Sequence, residues 1–213
     1  IWIKEGGNNL LEAFLLVNKL DQPSLNKDKV LETIARIQQE VWLEMNDKLT
    51  ALEQVALLNH ILFSIHEFKG VAPNDLKPEH FSLSTVLETK IASPVAIGVL
   101  YMHIAQSLKI PLFAVNLSSN FLLAYTENYI QTQKLLPSGK VLFYLNPNKA
   151  GVLFTDEEID LFVLHHQLPK LPSNYVPISN YLVIFRLIND LISVHVHNDN
   201  AIMLKKLLEL FAE

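Results

Sequence analysis

Ser93-Pro94 opens the stretch that most constrains this chain. A hydroxyl at the cap, a proline at the first helical position, and then Val95, Val99, Leu100, Met102, Ile104 and Ala105 predict a helix running to Leu108. Two β-rich runs follow, Leu112 to Leu117 and Phe121 to Tyr125, separated by Ser118-Ser119-Asn120. Val141 to Leu145 is a third, after the turn signal Pro137-Ser138-Gly139. A helix leading into three antiparallel strands is an α+β plan.

The flanks read as helices. Asn8 or Asn9 caps a run through Leu10, Leu11, Phe14, Leu15 and Leu16. Val30, Ile34, Ile37, Val41 and Met45 lie on one stripe of a second helix, a stripe that reads as core rather than as a partner surface. Thr50 and Glu53 have capping-box spacing ahead of Leu52, Val55, Leu58, Leu62 and Ile65, which predicts a third helix burying that series. Phe68 to Pro78 is a loop. Thr155 and Glu158 repeat the box before a short helix through Leu161 and Val163, and Gln167 to Pro177 is a proline-rich connector. Asn180 to Val194 and Ala201 to Phe211 form a helical hairpin turned by Asn198-Asp199-Asn200, similar to one tetratricopeptide-type unit.

Composition narrows the function classes. The 213 residues suffice for a sizeable core, and 50% hydrophobic with 18% charged residues excludes a disordered chain. No apolar run approaches the roughly 20 residues that span a bilayer. The 22 acidic and 17 basic residues are scattered, and without a Lys/Arg cluster nucleic acid is not expected as a partner. There is no cysteine, hence no disulfide and no thiolate metal site, and a reducing cytoplasm is the expected compartment. A start at Ile1 rather than Met leaves open that the chain is part of a longer protein.

The stretch Val86-Leu87-Glu88-Thr89-Lys90, Ala92-Ser93-Pro94-Val95, Leu100-Tyr101, Leu108-Lys109-Ile110-Pro111-Leu112, Val115-Asn116-Leu117 and Phe121-Leu122-Leu123 resembles the bacterial transglutaminase-like family with tetratricopeptide extensions, the invasion-gene-regulator type. Asn59, Leu62-Phe63 and Phe68-Lys69-Gly70 resemble its upstream helix and loop, and Tyr144-Leu145-Asn146-Pro147 its final strand. The likeness covers residues 8–213 and is strongest from Asn59 to Gly151. It implies a papain-like, transglutaminase-like core over about 59–165, within a domain of residues 1–174 that includes the N-terminal helical layer; residues 175–213 are the C-terminal hairpin.

The resemblance also implies a triad: a cysteine at a helix start, a histidine on the next strand and an aspartate on the one after. A helix N-terminus stabilises a thiolate, imidazole shuttles the proton, and the carboxylate fixes the imidazole. On this chain the three slots fall at Pro94, Asn120 and Asn146. Proline brings neither a nucleophile nor a backbone N–H for an oxyanion. Asn120 does not titrate near neutral pH, and Asn146 has nothing to orient. Triad hydrolysis or acyl transfer is therefore not expected.

Other chemistry is thinly supported. Ser93, Ser118 and Ser119 flank the slots, yet serines at caps and turns are ordinarily structural, and His103 is too far along its helix to meet Ser93. His165-His166 would point about 100° apart on a helix, and His195 and His197 sit at a helix end, so neither pair reads as a metal site. Gly6-Gly7 is not followed by Lys-Ser or Lys-Thr, so no phosphate loop is present and no cofactor is expected. Glu88 and Lys90 beside Pro94 read as solvated charge. The expectation is a binding or scaffold module for a protein or peptide, with a cleft lined by Ser93, Ser118, Ser119, Asn120 and Asn146. The rivals are a hydrolase or acyltransferase using Ser93, and an interaction surface on the hairpin near Leu204, Leu207 and Phe211.

Overall fold

The computed structural model describes residues 9–117, 120–127, 140–165, 167 and 175–209. Helix α1 (Leu10–Asp21) starts where Asn9 Oδ1 accepts from the Glu12 N–H at 3.1 Å. Helix α2 (Lys27–Glu44) buries Val30, Ile34, Ile37 and Val41, the expected stripe. Helix α3 (Ala51–Asn59) carries the Thr50/Glu53 capping box in full, with Thr50 N–H donating to Glu53 Oε2 at 2.8 Å.

Beyond α3 the expected single helix changes character. His60–Ile65 form a π-helical turn, with His66 N–H reaching back to the Ile61 carbonyl. The wider turn rotates the stripe that follows it, so Ile61 and Leu62 are buried while Ile65 is about half exposed; Leu52, in the first turn of α3, is also about half exposed. The 68–81 segment contributes a short strand β1 (Lys69–Gly70) and two 3₁₀ turns, Pro73–Asp75 and Pro78–Phe81. A helix that the sequence reading missed, α4 (Leu83–Thr89), ends at Lys90 with φ 66°. Strand β2 (Ile91–Ala92) then pairs in parallel with β1.

Helix α5 (Pro94–Ser107) is central, with ten of its residues buried. Strands β3 (Leu112–Leu117), β4 (Asn120–Thr126), β5 (Val141–Asn146) and β6 (Val152–Phe154) form one antiparallel sheet in sequence order, one strand more than expected. Alternation divides the sheet. Ala114, Phe121, Leu123, Tyr125 and Leu145 join the main core around α5, while Val115, Leu117, Leu122, Ala124 and Tyr144 pack with Ile159 and Val163 of α6 (Asp156–His165). The Thr155/Glu158 box caps α6 as expected.

After the connector, Pro177 bridges to Val115 and Ile178 N–H donates to Ala114 O at 2.8 Å, so returning chain lies along the β3 edge. Helices α7 (Asn180–His197) and α8 (Ala201–Glu209) form the hairpin. Val183, Leu187 and Leu191 of α7 and Met203 and Leu207 of α8 share the main hydrophobic core with α1 and α5.

Candidate functional site

The start of α5 is fixed by its neighbours. Ser93 is wholly buried; its Oγ accepts from the Ala96 N–H at 3.2 Å, and its own N–H donates to the His80 carbonyl at 2.8 Å. Its hydroxyl is thus a helix cap. Pro94, half-buried, lies on the wall of a groove of about 1410 Å³.

One wall of that groove is the 71–80 segment and the other is α7. From α7 come Leu182, Phe185, Asn189, Ser193 and His197, spaced by three and four residues along one stripe. Leu182 to Asn198 extends about 24 Å at 1.5 Å per residue. The groove is therefore long enough for an extended segment and combines apolar with polar contacts.

Three of the groove's ionisable groups, Arg186, Asp190 and His80, are held by neighbours. Arg186 Nε stands 3.5 Å from Asp190 Oδ2 one turn on, and burial raises the Asp190 carboxyl above its ordinary range while Arg186 acts against it. His80 Nδ1 accepts from the Lys77 N–H at 3.1 Å, which leaves Nε2 as the ring position for a proton. Burial pushes this imidazole down, with Glu79 the opposing charge, so the neutral form is favoured.

The mapped positions lie at the start of α5, the start of β4 and the end of β5. Asn120 is the first residue of β4, opposite Leu117. Next to it, the Phe121 ring lies against Gly98, one turn into α5 from Pro94, where an added Cβ would collide with the ring. Asn146 ends β5; one step past the Leu123/Leu145 pair it stands level with Leu122, two positions from Asn120. Its buried side chain accepts from the Asn148 N–H at 3.0 Å, an Asx turn, and it is not on the wall of the Pro94 groove. Ser118 and Ser119 lie outside the described residues.

Sequence reasoning did not find Lys77, His80, Arg186 or Asp190 as site residues. The signal available was the polar stripe of α7, which faces away from Val183, Leu187 and Leu191. Elsewhere, Leu207 is buried and Leu204 half-buried, Phe211 lies outside the described residues, and the exposed apolar side chains of α8 are Ile202 and Leu208. Among the described residues no group of three His, Asp or Glu is placed to hold a metal ion. None of the described helices is long and apolar enough to cross a membrane.

Mixed helices thus pack around a small antiparallel sheet, with a groove at the start of the central helix. The family model for the transglutaminase-like superfamily matches residues 28–189, from the first turn of α2 to the middle of α7. The chain belongs to that superfamily. No curated protein and no solved structure matches it.

Proposed function

We propose that this is a non-catalytic member of the superfamily, of the branch with tetratricopeptide-type extensions, acting as a peptide- or protein-binding module. Its core is papain-like, with Pro94, Asn120 and Asn146 in the slots of a vanished triad, and a reducing cytoplasm fits the absence of cysteine. The observation that carries this reading is Pro94 itself. The residue presented to the groove at the helix start has no nucleophile, and the neighbouring hydroxyl, Ser93, is buried in a cap. What remains is a long groove that combines apolar side chains with neutral and charged polar groups, suited to an extended segment held by hydrogen bonds and apolar contacts.

Two measurements test it. Incubation of the full chain with a glutamine-containing acyl donor, a reporter amine and a fluorophosphonate probe is expected to give neither turnover nor labelling; either signal, lost on Ser93→Ala, would establish the enzymatic alternative instead. Selection from a displayed random-peptide pool is expected to return binders that Asn189→Arg, an exposed change on the groove wall, displaces. Binders indifferent to that change would move the binding function elsewhere.

A further inference from the structure

A second concavity, of about 380 Å³, shares no residue with the groove beside Pro94. It lies between the α1–α2 turn, the first turns of α2, and α4. Three cations from two elements line it: Lys29 and Arg36 from α2, and Lys90 from the C-cap of α4. The carboxylate on its wall, Glu88, is already paired with Lys29 at 3.5 Å.

Arg36 and Lys90 are left without a carboxylate within 4.0 Å among the described residues. The Lys90 ammonium lies over the Phe68 ring, 4.8 Å from its centroid, on a backbone held at φ 66°. Burial pushes that ammonium down, and the Arg36 guanidinium pushes it further, with Glu40 opposing. Glu40 is itself engaged by His66 Nε2 at 2.5 Å. The pocket lining thus carries three cations against the single carboxylate of Glu88.

The uncharged donors point to the same ligand. Gln22 Oε1 accepts from both the Ser82 and Ser84 hydroxyls, at 2.8 and 3.0 Å. With its oxygen so engaged, the NH₂ is the donor that Gln22, a residue of the pocket wall, has to offer. Such a cluster of donors with surplus positive charge is complementary to a compact oxyanion.

We propose that this pocket binds a phosphate monoester, whose charge of about −1.5 to −2 at neutral pH matches the two unpaired cations Arg36 and Lys90. The group is carried either by a small metabolite or by a phosphorylated side chain of a protein partner; the chemistry of recognition is the same.

Titrating the full chain with sodium phosphate at pH 7 in ¹H–¹⁵N spectra tests this. Saturable shifts are expected for amides of residues 22–36 and 84–90, and sodium chloride at equal ionic strength should not reproduce them. Arg36→Gln and Lys90→Gln should each weaken binding by at least about fivefold, as expected for loss of a charge-assisted contact. Lys48→Gln, at an exposed turn outside the pocket, should not. Shifts that fail to saturate, that chloride reproduces, or that survive both pocket variants would overturn the proposal. A phosphoserine peptide and glycerol 2-phosphate then separate the sources: tighter binding of the peptide assigns a protein partner, and the reverse assigns a metabolite. Equal binding of the unphosphorylated peptide would again overturn it.

Discussion

Asn59 and Gly151, far apart in sequence, meet at the end of α3: the Asn59 amide donates to the Gly151 carbonyl at 3.1 Å, and its Oδ1 accepts from the Tyr101 hydroxyl at 2.9 Å. One side chain thus joins α3, α5 and the turn after β5. Gly151 has φ +70°, and a Cβ there would collide with the Asn59 amide. Gly151→Ala should therefore cost roughly 2–4 kcal/mol in denaturant unfolding. In the double-mutant cycle with Asn59→Ala the two costs should fail to add by at least about 0.5 kcal/mol. Additive effects would mean that the contact does not constrain the turn.

His195 presents the opposite case. It is buried in the last turn of α7, and neither ring nitrogen has a hydrogen-bond partner among the described residues. An unsatisfied buried polar group costs about 1–3 kcal/mol, whereas an apolar side chain of similar volume does not. His195→Leu is expected to raise the melting temperature by a few degrees, corresponding to about 1 kcal/mol. A fall in melting temperature would show that the imidazole has a partner or bound water.

Acid should destabilise the fold through His103. Burial within α5 holds its imidazole below the ordinary value, and His80 shifts in the same direction. Below about pH 6.5 the unfolded chain binds protons that the native chain does not, so stability falls with pH until the folded imidazoles titrate. Melting temperature should drop between pH 7.5 and 5.5, and His103→Gln should reduce that drop. An undiminished drop in the variant would assign the effect to other groups.

Pro94→Cys would place the only thiol of the chain at the first residue of α5, on the groove. It should be alkylated by iodoacetamide as a single mass adduct, with an apparent pKa below the free value of about 8.5. Without an imidazole at position 120, it should not hydrolyse ester substrates. A thiol that resists alkylation in the folded state would mean that this position is closed to ligands.

Local rules carried the sequence reading furthest where they act alone. The α5–β3–β4–β5 order, the Thr50/Glu53 and Thr155/Glu158 boxes and the Asn198 turn are set by residues within a few positions of one another, and the structure contains them. The π turn after Asn59 was not legible, because the same apolar residues fit an uninterrupted helix; its register is visible only in which of them are buried. Helix α4 and strand β6 are too short to leave a periodic signature. The groove was the largest omission. Its walls come from segments about a hundred residues apart, and nothing local in Lys77 or His80 announces Arg186 or Asp190.

Helix α7 serves two purposes: its inner face completes the core with α1 and α5, and its outer stripe walls the groove. An occupant that touches both the 71–80 segment and this helix therefore clamps the C-terminal hairpin to the body. Occupancy and docking become one equilibrium, and a bound segment at a hundredfold excess over its Kd would protect the whole chain by about 2.7 kcal/mol. Any occupant of this groove should announce itself first as heat resistance.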